Sequence, residues 1–159
     1  MNNHVKGGAV AVALMLCASM LAGCGGTGPE AAALAAAPVP KSHARLKIHR
    51  EGSVIGMAAD ARVRVDGRDV ASLGNDAMTV VDIPAGAHQI AVDHWSHPGV
   101  SKLDLNAKPG MVYEIRAAVR GEAAAAGMMF GLAGSAVESA SNGDAGFWSL
   151  QLVKQGPAA

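Results

Sequence analysis

Three histidines and an aspartate crowd one short stretch, His88, Asp93, His94 and His97, and no other cluster in the 159-residue chain resembles a set of metal ligands. Imidazole nitrogens with a carboxylate oxygen suit zinc or a similar borderline cation, and a catalytic centre would take three protein ligands and leave a position for water. Strand phase argues against convergence: His88, Ile90, Val92 and His94 share one face of an extended segment, whereas Asp93 points to the other. His94 and His97 meet only if Trp95-Ser96-His97-Pro98-Gly99 loops back on itself. These histidines are read as strand-end or loop residues on the rim of a sheet, and no residue is assigned as a metal ligand.

Other reaction chemistries lack their usual signals. No Gly-x-Ser-x-Gly elbow occurs, and no Gly-rich loop ends in Lys-Ser or Lys-Thr, so acyl transfer and nucleotide binding have no motif to rest on. Glycoside hydrolysis needs two carboxylates at a defined separation, and Glu114, Asp93 and Asp104 can be paired only arbitrarily. Arg62, Arg64, Arg116 and Arg120 alternate on strand faces and are candidates for a basic patch toward anionic headgroups or glycans. Interspersed acids bring the formal net charge to +0, so these arginines are read as ordinary solvated charges and nucleic acid is not expected as a partner. No catalytic residue and no cofactor is assigned.

The elements that must position these side chains have a period of two, the pattern of half-buried strands. Leu46 and Ile48 alternate with Arg45, Lys47 and His49; Val63 and Val65 alternate with Arg62 and Arg64. Asp66-Gly67 then supplies a turn dipeptide tolerant of positive φ, and residues 68–73 return as the second arm of a hairpin. Thr79, Val81 and Ile83 share a face, Pro84-Ala85-Gly86 turns the chain, and Ile90 and Val92 continue the next strand. Leu103 and Leu105 precede the turn Lys108-Pro109-Gly110; Tyr113, Ile115, Ala117 and Val119 oppose Glu114, Arg116 and Arg120. Trp148, Leu150 and Leu152 form the inward face of a last strand. Seven or eight short strands punctuated by turns predict an all-β fold, a small antiparallel β-sandwich spanning residues 44–154, with residues 155–159 as a tail. Aromatics are only 3% of the chain, so Val, Ile, Leu and Ala must fill the core.

Residues 121–146 interrupt this pattern before the last strand. Loops longer than about 12 to 15 residues without structure of their own are uncommon. Residues 123–137 carry no charge, and Ala123, Gly127, Gly131, Ser135 and Ser139 recur every four residues. On a helix that spacing makes a stripe of small side chains along which another backbone can approach closely. The stripe is read as packing on its own domain or as self-association through Ala123, Gly127, Gly131 and Ser135. Gly is a poor helix former, so an irregular loop is the competing reading.

Leu21-Ala22-Gly23-Cys24 closes an uncharged apolar segment, residues 7–20, that follows Lys6. The tetrapeptide resembles the lipobox of bacterial lipoproteins: an aliphatic residue, two small residues and a cysteine. That resemblance implies removal of residues 1–23 as a signal peptide, a thioether-linked diacylglycerol on Cys24, usually an amide-linked third chain, and a bilayer as partner. Gly25 follows where the inner-membrane retention signal would show Asp, so the resemblance implies the outer membrane, with the domain facing the periplasm. Cleavage would remove Cys17 and acylation would consume Cys24, leaving no thiol for disulfides, cysteine-ligated zinc or thiol catalysis. Residues 24–43, with Gly, Ala and three prolines, are read as the lipidated cysteine and a flexible tether, in which Ala propensity allows a short helix over residues 29–37.

Val63-Arg64-Val65-Asp66-Gly67, Ile83-Pro84-Ala85-Gly86-Ala87-His88 and Lys108-Pro109-Gly110-Met111-Val112-Tyr113 are similar to the small surface β domains named for a Pro-Glu-Gly-Ala turn, and to a group of uncharacterised bacterial lipoproteins. Ala85 stands where those domains carry their Glu. The resemblance implies an immunoglobulin-like or prealbumin-like sandwich without catalytic residues. The expectation is a non-enzymatic binding or structural module of the cell envelope, whose partner is an envelope protein or a glycan. The alternative is an envelope hydrolase or metal-binding protein using the region of His88, His94 and His97.

Overall fold

The computed structural model describes residues 28–121 and 146–158. The predicted signal segment, Cys24 and the stripe through Ala123, Gly127, Gly131 and Ser135 lie outside the described residues. Alternating apolar side chains pair up as the period of two requires, in the strands β1 (His43–Arg50), β2 (Ala61–Val65), β3 (Arg68–Leu73), β4 (Met78–Pro84), β5 (Gly86–His94), β6 (His97–Ala107), β7 (Met111–Val119) and β8 (Trp148–Pro157). They form two four-stranded sheets, one in the order β4-β1-β7-β8 and the other β3-β2-β5-β6. The fold is the all-β sandwich expected. Ala44, Leu46 and Ile48 of β1, Val63 of β2, Ile90 and Val92 of β5, Ile115 of β7 and Trp148 of β8 meet in one core between the sheets.

Turn chemistry behaves as read. Asp66 and Gly67 both take positive φ, 51° and 78°, in a two-residue connection between Val65 and Arg68, the geometry that matches strand twist in a tight hairpin. A single residue, Ala85, separates β4 from β5, and Gly86 at φ 143° takes the chain from one sheet to the other. Tyr113 is buried, and its hydroxyl accepts from the Lys108 backbone N–H at 2.9 Å, which secures the Lys108-Pro109-Gly110 turn.

Four details differ from the sequence reading. Among the described residues β1 and β7 pair in parallel, because β1 is inserted between β4 and β7 rather than beside its neighbour in sequence. In the immunoglobulin order the first strand pairs with the second, so of the two arrangements considered the strand order retains the prealbumin-like one. The last strand runs through residues 155–157, read as tail, where Met111 to Tyr113 pair with it. A register shift between Glu114 and Ile115 leaves Val153 without a partner and half exposed; Leu152 stands opposite inward-facing Ile115, yet on this edge strand it stays 39% exposed.

The fourth difference concerns the tether, which is held on the domain rather than free. The short helix that Ala propensity allowed over residues 29–37 is present as α1, Pro29–Ala36, with Pro at its first turn and Glu30 near its positive end. No α1 residue is fully buried, which is why its sequence shows no strong apolar face. Its hold is polar instead: Arg45 Nη1 donates to the carbonyls of Ala37 at 2.5 Å and Ala35 at 3.4 Å, at the helix end where carbonyls lack intrahelical partners. Nε and Nη2 of the same guanidinium grip both oxygens of Asp82, directly opposite on β4, at 2.7 and 2.9 Å. Arg45, expected on the solvent face, is therefore only 2% exposed.

Candidate functional site

The four residues of the histidine cluster are split by the hairpin β5–β6. His88 lies near the start of β5 and His94 at its end, about 20 Å apart at roughly 3.3 Å per strand residue. His88 is taken up by the turns around it: Nδ1 meets Asp66 Oδ2 at 2.6 Å and Nε2 meets the Pro84 carbonyl at 2.8 Å. The Gln89 backbone N–H and His88 together hold the Asp66 carboxyl below the usual carboxylate range. Among the described residues no group of three or more His, Cys, Asp or Glu is placed to hold a metal ion.

The other end of the hairpin is different in kind. His94 pairs with His97 across the two-residue tip Trp95-Ser96, so the loop-back that convergence required is present. What fills the space beside them is an aromatic ring: Phe147 lies 5.5 Å from His94 and 5.3 Å from His97, centroid to centroid. Phe147 also meets Trp148 edge-on at 5.1 Å. Trp148 Nε1 donates to the Asp93 carbonyl, and the buried Ser101 hydroxyl donates to the Trp148 carbonyl, so the start of β8 fastens the two sheets together here. Asp93 accepts from Arg64, which removes it from the histidines. His94 Nδ1 faces the Ser96 hydroxyl at 3.1 Å, while its buried Nε2 has no partner among the described residues. Burial first, then the neighbouring His97 and Arg50, push His94 toward its neutral form, with Asp60 and Asp93 acting the other way.

Arg50 sits beneath this aromatic group. It continues the inward phase of Ala44, Leu46 and Ile48, and is fully buried at the end of β1. Its guanidinium carbon lies 5.0 Å from the centroid of the Trp148 ring, within cation–π range. Nη2 donates to the Gly56 carbonyl at 2.6 Å; Nε and Nη1 are buried with no acceptor among the described residues. Desolvation lowers its pKa, and the Asp60 carboxylate offsets this in part. An arginine nevertheless keeps its charge in proteins, so the site holds a buried cation with idle donors. Gly56 takes φ 74°, and Phe147 packs so closely on it that a Cβ there would stand 3.0 Å from the ring.

Above Arg50 the β1–β2 loop, residues 51–60, turns its apolar side chains outward. Val54 is 88%, Met57 61% and Ile55 44% exposed, and Trp95 at the adjacent hairpin tip is 86% exposed. Sequence reasoning listed the histidines and passed over Arg50, Phe147 and the loop. The missed signal was a charged residue in the inward phase of β1, three alternations after Ala44. The arginines it did list have structural partners: Arg62 forks onto Asp69 at 2.7 and 3.0 Å, Arg64 pairs with Asp93, Arg116 donates to Gln151, and Arg120 donates to the Gly146 carbonyl. Glu114 lies 3.8 Å from Lys154, and Asp104 accepts from Gln89. No protein-family model matches the chain, and no curated protein matches it at a significant level.

Proposed function

We propose that the chain is a lipid-anchored, non-enzymatic binding module of the bacterial cell envelope, held at the outer membrane by acylated Cys24 and facing the periplasm. The observation that carries this reading is Leu21-Ala22-Gly23-Cys24 at the close of an uncharged apolar segment. Multiple acyl chains anchor stably because each buried methylene contributes about 0.8 kcal/mol. The side-chain pairing supports binding over catalysis: Asp66, Asp69, Asp82 and Asp93 are each engaged by a histidine or arginine that ties one strand or turn to another. Since α1 begins at Pro29, residues 24–28 can span at most about 18 Å, so the domain is held close to the bilayer rather than on a long leash.

Labelling with a palmitate analogue tests the anchor. The parent chain should incorporate label and fractionate with the outer membrane, and Cys24→Ala should abolish both. Undiminished labelling of Cys24→Ala would refute the anchoring. Turnover of a generic ester, glycoside or peptide panel by the purified domain would refute the non-enzymatic part.

A further inference from the structure

The end of the sandwich at Arg50 is inverted relative to ordinary folding chemistry. A guanidinium with two nitrogens unpartnered among the described residues lies inside, whereas Val54, Ile55 and Met57 of the loop whose Gly56 carbonyl meets it, and Trp95 at the β5–β6 hairpin tip, face solvent. Burying a charge without hydrogen bonds on all its donors costs several kcal/mol, and exposing a group of large apolar side chains gives up burial that would offset this. Both features are relieved by one kind of occupant.

We propose that this end binds a small amphiphile carrying one carboxylate on an apolar body, with the Arg50 guanidinium taking the carboxylate and Val54, Ile55, Met57 and Trp95 taking the body. Trp148 holds one face of the guanidinium, and Nη2 meets the loop at the Gly56 carbonyl. Access requires the centre of the β1–β2 loop to swing away while its ends stay fastened, by the Glu51 N–H to the Ala117 carbonyl at 2.8 Å and by the Ser72 hydroxyl to Asp60 at 3.5 Å. Across the centre, Ser53 N–H donates to Asn75 Oδ1 at 3.0 Å, Arg50 donates to the Gly56 carbonyl, and the Ala59 N–H to Gly56 carbonyl bond lies within the loop itself. A ligand carboxylate takes over the Gly56 carbonyl's place on the guanidinium and adds an acceptor for the idle nitrogens. A charge-assisted fork of that kind is stronger than a neutral hydrogen bond. Charge favours a monoanion: Arg50 supplies one positive charge, His94 is held toward neutrality and Asp60 lies nearby, so the second charge of a phosphate dianion would go uncompensated.

The inference rests on the reading of the domain as a binding module and is independent of the lipid anchor, which the palmitate experiment tests separately. The experiment is a titration of the mature chain from position 24, carrying Cys24→Ala so that no acyl group competes, with octanoate and with octanol. Trp95 and Trp148 are the two tryptophans of the chain, and their fluorescence reports on the apolar rim and on the Arg50 platform together. Octanoate should bind saturably, and octanol about tenfold or more weakly. Arg50→Met should keep the fold, because replacing an unpaired buried charge by an apolar side chain of similar length is neutral or stabilising, and should weaken octanoate about tenfold or more. Val54→Ser with Met57→Ser, both on exposed positions that leave the core untouched, should weaken octanoate severalfold. Equal binding of octanol, retained octanoate affinity in Arg50→Met, unchanged affinity in the loop double variant, or no saturable binding up to about 10 mM would each overturn the proposal.

Discussion

Replacing Arg45 with Met removes a guanidinium that serves three partners at once while keeping most of the side chain's apolar stem. In the folded protein Nε and Nη2 hold both oxygens of Asp82, and Nη1 caps the carbonyls of Ala35 and Ala37 at the end of α1. Arg45 is 2% and Asp82 16% exposed, so the carboxylate left behind stays largely out of water. Breaking one partner of a buried pair costs about 3–5 kcal/mol, and the partial exposure of Asp82 puts the expected loss near the lower end, about 3 kcal/mol. For a domain of this size that lowers the thermal midpoint by roughly 12 °C, at about 4 °C per kcal/mol. Urea unfolding followed by Trp148, which is 1% exposed and so reports loss of the core, gives the measurement. The double variant Arg45→Met with Asp82→Leu should recover much of the loss, because neither charge is then left unpaired. A stability for Arg45→Met within about 1 kcal/mol of the parent, or a double variant less stable than the single, would refute the argument.

Two further substitutions probe the turns. Gly86→Ala should cost about 1–3 kcal/mol although an added Cβ would meet nothing within 4 Å, because the φ of 143° is one that L side chains rarely adopt; an unchanged urea midpoint would show that the sheet-to-sheet step relaxes freely. Asp66→Asn keeps a residue that tolerates positive φ and an oxygen that can accept from the Gln89 N–H, and removes the charge, so it isolates the charge's part in the bonds from Gln89 N–H and His88. The Asp66 carboxyl is depressed below its ordinary value of 3.8, so its contribution is present above that value and is lost as pH falls through the lower folded pKa. The stability gap between parent and variant should therefore hold at about pH 5 and close in acid below 3.8, and a gap that persists to the acid limit would contradict the assignment.

The eight strands were legible because alternation is a local property. A half-buried strand needs an apolar residue at every second position whatever its neighbours are, and Leu46, Ile48, Val63, Val65, Ile90 and Val92 all took the inward places their phase assigned. The Asp66-Gly67 hairpin was equally local, since the φ preferences of two residues select the turn. Strand order was not legible, because period reports which face is buried and not which strand lies alongside; the parallel pairing of β1 with β7 joins residues more than sixty positions apart.

The same limit governed the side chains. Nothing near Arg45 in sequence marks it as buried, because Asp82 stands 37 residues away and the helix that covers it has too shallow a face to show in its own pattern. His88, Asp93, His94 and His97 looked like one group because they are neighbours along the chain. The hairpin sends His88 to Asp66 and Pro84, Asp93 to Arg64, and His94 with His97 to Phe147. The sequence by itself determined the strands, their inward faces, their tight turns and the cysteine motif on which the anchor is proposed, all of them written in stretches of a few residues. Only the tertiary structure decided which charges are paired and which is left idle, because a guanidinium finds its partner through the register of distant strands, and that register is a property of the packed sheets.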